Sequence, residues 1–160
     1  MADSGKGRLI IVCGLPGSGK TTLATSLEDE LGAIRMSPDD WMTALGINLH
    51  DESARARIEA LQWSLSKRLL QIGSVVVIEW GTWGRSERDA LRTGARELGA
   101  AVELRYVSAP PDVLIRRIRA RARERPPIPE VDLERWLACF EVPTEDEVAL
   151  YDPPVRSSSE

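Results

Sequence analysis

A chain of 160 residues, 42% of them hydrophobic, is long enough for one compact core and too short for two ordinary domains. Its net charge of −4 argues against a surface that neutralises many phosphates, so a long polynucleotide is not an expected partner. No apolar run is long enough to span a bilayer, and residues 1–7 lack the regions of a signal peptide, so a cytoplasmic protein without membrane contact is expected.

The β-branched run Leu9-Ile10-Ile11-Val12-Cys13 predicts a buried strand. It leads directly into Gly14-Leu15-Pro16-Gly17-Ser18-Gly19-Lys20-Thr21 and then into the helical run Thr22-Leu23-Ala24. The loop matches G-x-x-x-x-G-K-[ST] at every position, between a strand and a helix, as a phosphate cradle requires. Residues Gly14, Pro16, Gly17, Ser18, Gly19, Lys20, Thr21 and Thr22 are therefore expected to hold a nucleotide. Lys20 would reach the β/γ-phosphates, and the Thr21 hydroxyl would ligate Mg²⁺.

Leu23, Leu27 and Leu31 at a spacing of four, closed by Gly32, describe an amphipathic helix with a glycine cap. The short run Ala33-Ile34-Arg35-Met36 leads into Ser37-Pro38-Asp39-Asp40-Trp41, where Pro38 ends the strand and sends Asp39 and Asp40 toward the ligand crevice. Helix N-capping is the competing reading for both carboxylates. A polar segment over residues 43–51, holding the lone His50 as a loop residue, precedes a longer helix. Its stripe Ile58, Leu61, Leu65, Leu69 and Ile72 is expected to face the core, with Trp63 off it and Gly73 as the stop.

Val75-Val76-Val77-Ile78 reads as a strand covered on both faces, with Glu79 at its carboxyl end. The loop Trp80-Gly81-Thr82-Trp83-Gly84-Arg85 would flank the crevice, and Ser86-Glu87-Arg88-Asp89 resembles a capping box opening a helix that ends near Leu98-Gly99. Residues 102–107 alternate as a strand, and Pro110-Pro111-Asp112 opens a helix with Leu114, Ile118 and Ala122 on one face. Arg116, Arg117, Arg119, Arg121, Arg123 and Arg125 crowd the stretch before Pro126-Pro127-Ile128-Pro129. Such density suggests phosphate binding by at least two of them rather than a merely solvated face.

Beyond residue 130 the charge turns acidic, with a helix through Leu133, Leu137 and Phe140, a short one near residues 145–150, and a flexible tail over 153–160. Cys13 and Cys139 have no metal or redox spacing and are expected to be buried free thiols. Trp41, Trp80 and Trp83 all follow predicted strand ends, where they would stack on a planar ligand or wedge helices against the sheet; Trp136 reads as a wedge. Strands alternating with helices imply one α/β domain over residues 1–152, three-layered around a parallel sheet, with its ligand at the strands' carboxyl edge.

Taken together, residues 14–21, the Ser37-Pro38-Asp39-Asp40-Trp41 segment and the arginine helix resemble the small P-loop kinases. That group includes polynucleotide 5′-hydroxyl kinase domains, chloramphenicol phosphotransferase and zeta-type toxins. The resemblance covers residues 8–128 and implies a four-stranded sheet in the order 2-3-1-4, a helical lid over residues 117–129, and Mg²⁺-ATP or Mg²⁺-GTP as donor. It also implies Asp39 as general base toward an acceptor hydroxyl, with Lys20, Arg117 and Arg121 acting on the phosphates and Arg123 as a further ligand. Glu79 stands where many relatives carry an aspartate that holds a magnesium-bound water, so it would serve the metal beside Thr21 or bind the acceptor. Where polynucleotide kinases often hold an acceptor phosphate with arginine, this chain has Met42, which points away from a phosphate-bearing acceptor.

The expected activity is transfer of a γ-phosphate to a hydroxyl of a small molecule, a nucleoside-type or other antibiotic being the suggested acceptor. Asp39, Asp40, Trp41, Glu79, Trp80, Trp83 and Arg85 would surround it. A polynucleotide 5′-kinase and a nucleotide-driven switch without acceptor are the alternatives.

Overall fold

Leu9 through Cys13 are all completely buried, which only a central strand covered on both faces allows. In the computed structural model, which describes residues 5–121 and 130–155, this strand is β1 (Arg8–Cys13). It pairs parallel with β3 (Val75–Gly81) on one side and β4 (Ala101–Tyr106) on the other. β2 (Ile34–Met36) adds in parallel to the outer edge of β3. The order β2-β3-β1-β4 is the one the family resemblance implies.

The helices are α1 (Lys20–Leu31), α2 (Pro38–Ala44), α3 (Glu52–Gln71), α4 (Arg85–Glu97), α5 (Pro111–Arg121), α6 (Glu130–Cys139) and α7 (Glu145–Val148). Alternation along β1 divides the core between two layers of them. Ile10 and Val12 pack with Ala24 and Leu27 of α1, whereas Leu9 and Ile11 pack with Leu70 of α3 and Leu91 and Ala95 of α4. Each such aliphatic side chain contributes about 1.5–3 kcal/mol by leaving water. All carboxyl ends of the strands therefore point to one edge, where the loops after β1, β2 and β3 meet.

Several expectations need correction. In α3 the exposed positions include Leu61, at 63%, and Ile72, at 77%, two members of the stripe expected to face the core. The buried line is Ala54, Ile58, Gln62, Ser66 and Leu70, a spacing of four that carries two polar residues. Ser66 Oγ donates to Gln62 O at 2.7 Å, and Trp80 Nε1 donates to Gln62 Oε1 at 2.9 Å, so hydrogen bonds inside the helix layer make polar burial tolerable. α4 does not open with the Ser86 capping box, since its N-cap is Gly84 without a side-chain bond. Arg88, meant for that polar turn, lies fully buried instead. Cys139 is exposed while Cys13 is buried, because Cys139 ends α6 outside the core. The C-terminal segment is anchored through Val155, whose N–H donates to Glu103 Oε1 at 3.3 Å. Of the expected tail, residues 156–160 lie outside the described residues. No helix among the described residues is long and apolar enough to cross a membrane.

Candidate active site

β1 delivers the chain to the sheet edge, and the loop that follows must turn tightly enough to start α1 at Lys20. A Cβ on Gly14 would collide with the Val107 carbonyl and lie 2.7 Å from Ser18 Oγ, so only glycine fits there. Gly19 is the N-cap of α1 with φ 106°, a left-handed conformation, and no side chain caps the helix. The first turn of α1 also carries no acidic residue, which leaves its N–H groups and the positive end of its dipole to an anion. Lys20 Nζ folds over the loop and donates to Gly14 O at 2.6 Å. Arg117 reaches across from α5, its Nη1 donating to Gly17 O at 3.0 Å.

β3 brings the carboxylate to this cradle. The Thr21 hydroxyl donates to Glu79 Oε1, while Arg35 Nη1 of β2 donates to Glu79 Oε2 at 2.9 Å. Arg35 also pairs with Asp40 and with Glu28, the latter at 3.0 Å. Burial alone would lower the Arg35 pKa, but the hydrogen bonds it donates to Glu79, Asp40 and Glu28 outweigh it and the net direction is upward. Thr21 and Glu79 thus offer two adjacent hard oxygen donors at the phosphate end. That is the donor chemistry Mg²⁺ takes from proteins, which supply one or two oxygens while phosphates and water supply the rest.

Asp39 sits one residue into α2 after Pro38, and Arg55 Nη2 of α3 holds its Oδ1 at 2.8 Å while also donating to Leu49 O at 2.9 Å. The cap of α2 is Ser37, whose side chain accepts from Asp40 N. The capping alternative for Asp39 and Asp40 therefore falls away. Arg55 instead fixes the direction of the Asp39 carboxylate.

Lys20, Thr21, Asp39, Arg55 and Glu79 share one cavity of about 1040 Å³, whose lining does not include Arg117. Of the expected residues, it is lined by Pro16, Gly17, Gly19, Lys20, Thr21, Asp39, Glu79, Trp80 and Trp83. Gly14 and Ser18 lie buried beneath the loop, and Thr22 is exposed on the first turn of α1. Asp40, Trp41 and Arg85 do not line the cavity. Asp40 is drawn away by Arg35. Trp41 packs against the core beside Met42, Ala54 and Ile58, because α2 turns it inward. Arg85 faces its own helix and Asp89, 3.5 Å away. Arg121 closes α5, with its side chain outside the description, and Arg123 lies outside the described residues, as does most of the expected lid.

The cavity also contains residues that sequence reasoning missed. Trp136 lines it and meets Trp83 edge-on, ring centroids 6.0 Å apart, so it is a wall as well as a wedge. Glu52, Arg55, Ala56, Glu59 and Trp63 of α3 face the cavity, and their spacing is helical. That polar stripe beside a strand edge was the available signal. The apolar stripe on the same helix masked it.

Strand, glycine cradle, uncapped helix and a strand-end acid on a 2-3-1-4 parallel sheet define a P-loop kinase fold. A family model described as an AAA domain, AAA_33, matches residues 9–143, and the chain belongs to that family. Uncharacterized proteins of Mycobacterium tuberculosis and Mycobacterium bovis are 37% identical to it over 130 residues, 72% of this chain and 26% of theirs. The chain thus spans about a quarter of the length of the curated relatives it matches. Among solved structures, a proposed kinase from Chloroflexus aurantiacus is 25% identical with a TM-score of 0.66, covering 83% of this chain and 76% of that one. The Mycobacterium tuberculosis APS kinase CysC, solved with AMPPNP and APS, is 22% identical with a TM-score of 0.60 over 75% of each chain. That second likeness is one of fold.

Proposed function

We propose that this protein transfers the γ-phosphate of ATP or GTP to a hydroxyl of a small molecule. The observation that carries this reading is that the phosphate cradle and the Arg55-held carboxylate of Asp39 open into the same cavity. A cavity of about 1040 Å³ has room for a triphosphate end and a small acceptor. The N–H groups of the first turn of α1, with Lys20 and Arg117, bind and orient the phosphates. Thr21 and Glu79 would hold Mg²⁺, which supplies charge neutralisation on the phosphates when bound. Asp39 takes the acceptor's hydroxyl proton as that oxygen bonds to the γ-phosphorus and the bond to the β,γ-bridging oxygen breaks. Trp80, Trp83 and Trp136 shield the acceptor end from water. Arg117 of α5, held on the Gly17 carbonyl, would bring a cation from that helix to the phosphates. An antibiotic is one acceptor consistent with this site.

The test is Asp39→Asn, which keeps shape and a hydrogen-bonding oxygen but cannot take a proton. Transfer of labelled γ-phosphate to an acceptor panel should fall by about 10²- to 10⁴-fold while nucleotide affinity holds. Wild-type transfer by the variant would remove Asp39 from the reaction.

A further inference from the structure

The cavity carries a charge that the reaction does not explain. Glu52 and Glu59 of α3 and Glu87 of α4 all line it, and none of the three makes an ion pair or side-chain hydrogen bond among the described residues. Arg55, the cation that acts on Glu59, is bonded to Asp39 and to the Leu49 carbonyl. Of the three, Glu59 is half-buried while Glu52 and Glu87 are exposed, so Glu59 is the carboxylate whose desolvation a cationic ligand would offset. Burial accordingly pushes the Glu59 carboxyl up to about 6, Arg55 opposing and Glu87, Glu52 and Asp39 adding to the rise.

A second, independent feature lies in the same wall. Thr82 lines the cavity, is 3% exposed, and its hydroxyl has no hydrogen-bond partner. It is also the one non-glycine residue with positive φ among the described residues, at 44°, so the loop holds it at a conformational cost. Buried hydroxyls left unpaired in a native protein are completed by water or by a ligand. Trp80 and Trp83 line the same cavity, and indole rings are the surfaces that best attract an organic cation.

Resting on the kinase reading above, we propose that the acceptor is a small hydroxylated molecule carrying a protonated amine, an amino sugar or amino alcohol, with its ammonium facing Glu59 and Glu87. Thr82 is placed to hydrogen-bond one of its hydroxyls, and the tryptophans cover its apolar side. The same carboxylates would repel carboxylated or phosphorylated acceptors. Selectivity would then come from charge as much as from shape.

The experiment titrates the full chain, followed by tryptophan fluorescence, with compounds matched in size but not in charge: glucosamine, N-acetylglucosamine and gluconate, then phenylalaninol and N-acetylphenylalaninol. The free amines should bind about tenfold tighter than their acetylated forms at pH 7.5, as expected for one hydrogen bond to a charged group, with gluconate weakest. In the double variant Glu59→Gln/Glu87→Gln, shown to be folded by its thermal melt, that preference should disappear. Equal binding of amine and acetylated forms, no binding of either amine, or a preference that survives the double substitution overturns the proposal. Transfer of γ-phosphate is measured separately. Amine preference without any transfer supports the cation site and sinks the kinase reading, whereas transfer to N-acetylglucosamine without amine preference does the reverse.

Discussion

Lys20 belongs to none of the core clusters, and its ammonium rests on the loop carbonyl of Gly14. Its role is therefore separable from folding. Lys20→Ala should lower nucleotide turnover by at least about 10²-fold, as loss of one fixed charge against a developing anion does, with the thermal melt little changed. Turnover at the wild-type rate would mean that the cradle binds no reacting phosphate. Glu59 gives the opposite kind of prediction, a change in stability. Its folded carboxyl is raised from 4.5 to about 6, by burial first, so the stability tied to its proton is complete below 4.5 and is lost as pH rises through 6. Glu59→Gln, neutral at every pH, should thus melt above the parent at pH 7.5, the gap closing as pH falls from 6 toward 4.5. A gap that stays constant across that range would show that Glu59 carries its ordinary proton affinity.

α3 shows how an element can be read correctly in extent and wrongly in orientation. Its end at Gly73 and its helical period were legible, because caps and periodicity are local. The face it buries was not. Leucines at 61 and 65 suggested one stripe, yet the helix turns Gln62 and Ser66 inward, where Trp80 of β3 provides the partner for Gln62. Only the tertiary position of that indole decides the matter. The consequence is measurable: Leu61→Lys and Ile72→Lys should each shift stability by no more than about 0.5 kcal/mol, the usual range for surface changes. Leu70→Ala, at 1% exposure, should cost about 2–5 kcal/mol in chemical denaturation. Comparable losses at all three positions would restore the original stripe. The same limit applies to β3, whose expected four-residue run extends in fact to Gly81, where Cys13 of β1 pairs with Gly81 beyond a register irregularity.

At the scale of the molecule, the phosphate end of the site was legible because eight contiguous residues and their flanking elements encode it locally. At the acceptor end only Asp39 and the loop over residues 80–85 were legible; Arg55, Glu59 and Glu87 were not, because they reach the cavity from two helices whose facing only the tertiary packing decides. Another long-range link was equally hidden. Arg88 of α4, fully buried, bonds Glu147 of α7 at 2.6 and 3.0 Å and donates to the carbonyls of Thr82 and Glu141, each at 2.8 Å. Arg88→Leu would strand the Glu147 carboxylate in the interior and should cost about 3–5 kcal/mol. Arg88→Leu/Glu147→Leu should recover a large part of that loss in urea unfolding, because no unpaired charge then remains. A double variant as unstable as the sum of its parts would assign the cost to packing.

That guanidinium ties the Thr82 backbone, in the cavity wall, to a stretch of chain sixty residues downstream, and the Glu141 N–H completes the stitch by donating to Trp83 O at 2.9 Å. Whatever ligand steadies Thr82 and Trp83 must in the same act steady residues 141–147. Occupancy of the acceptor end is thus thermodynamically linked to the C-terminal part of the fold. The slowing of amide hydrogen exchange in α7 would register an acceptor that never touches it.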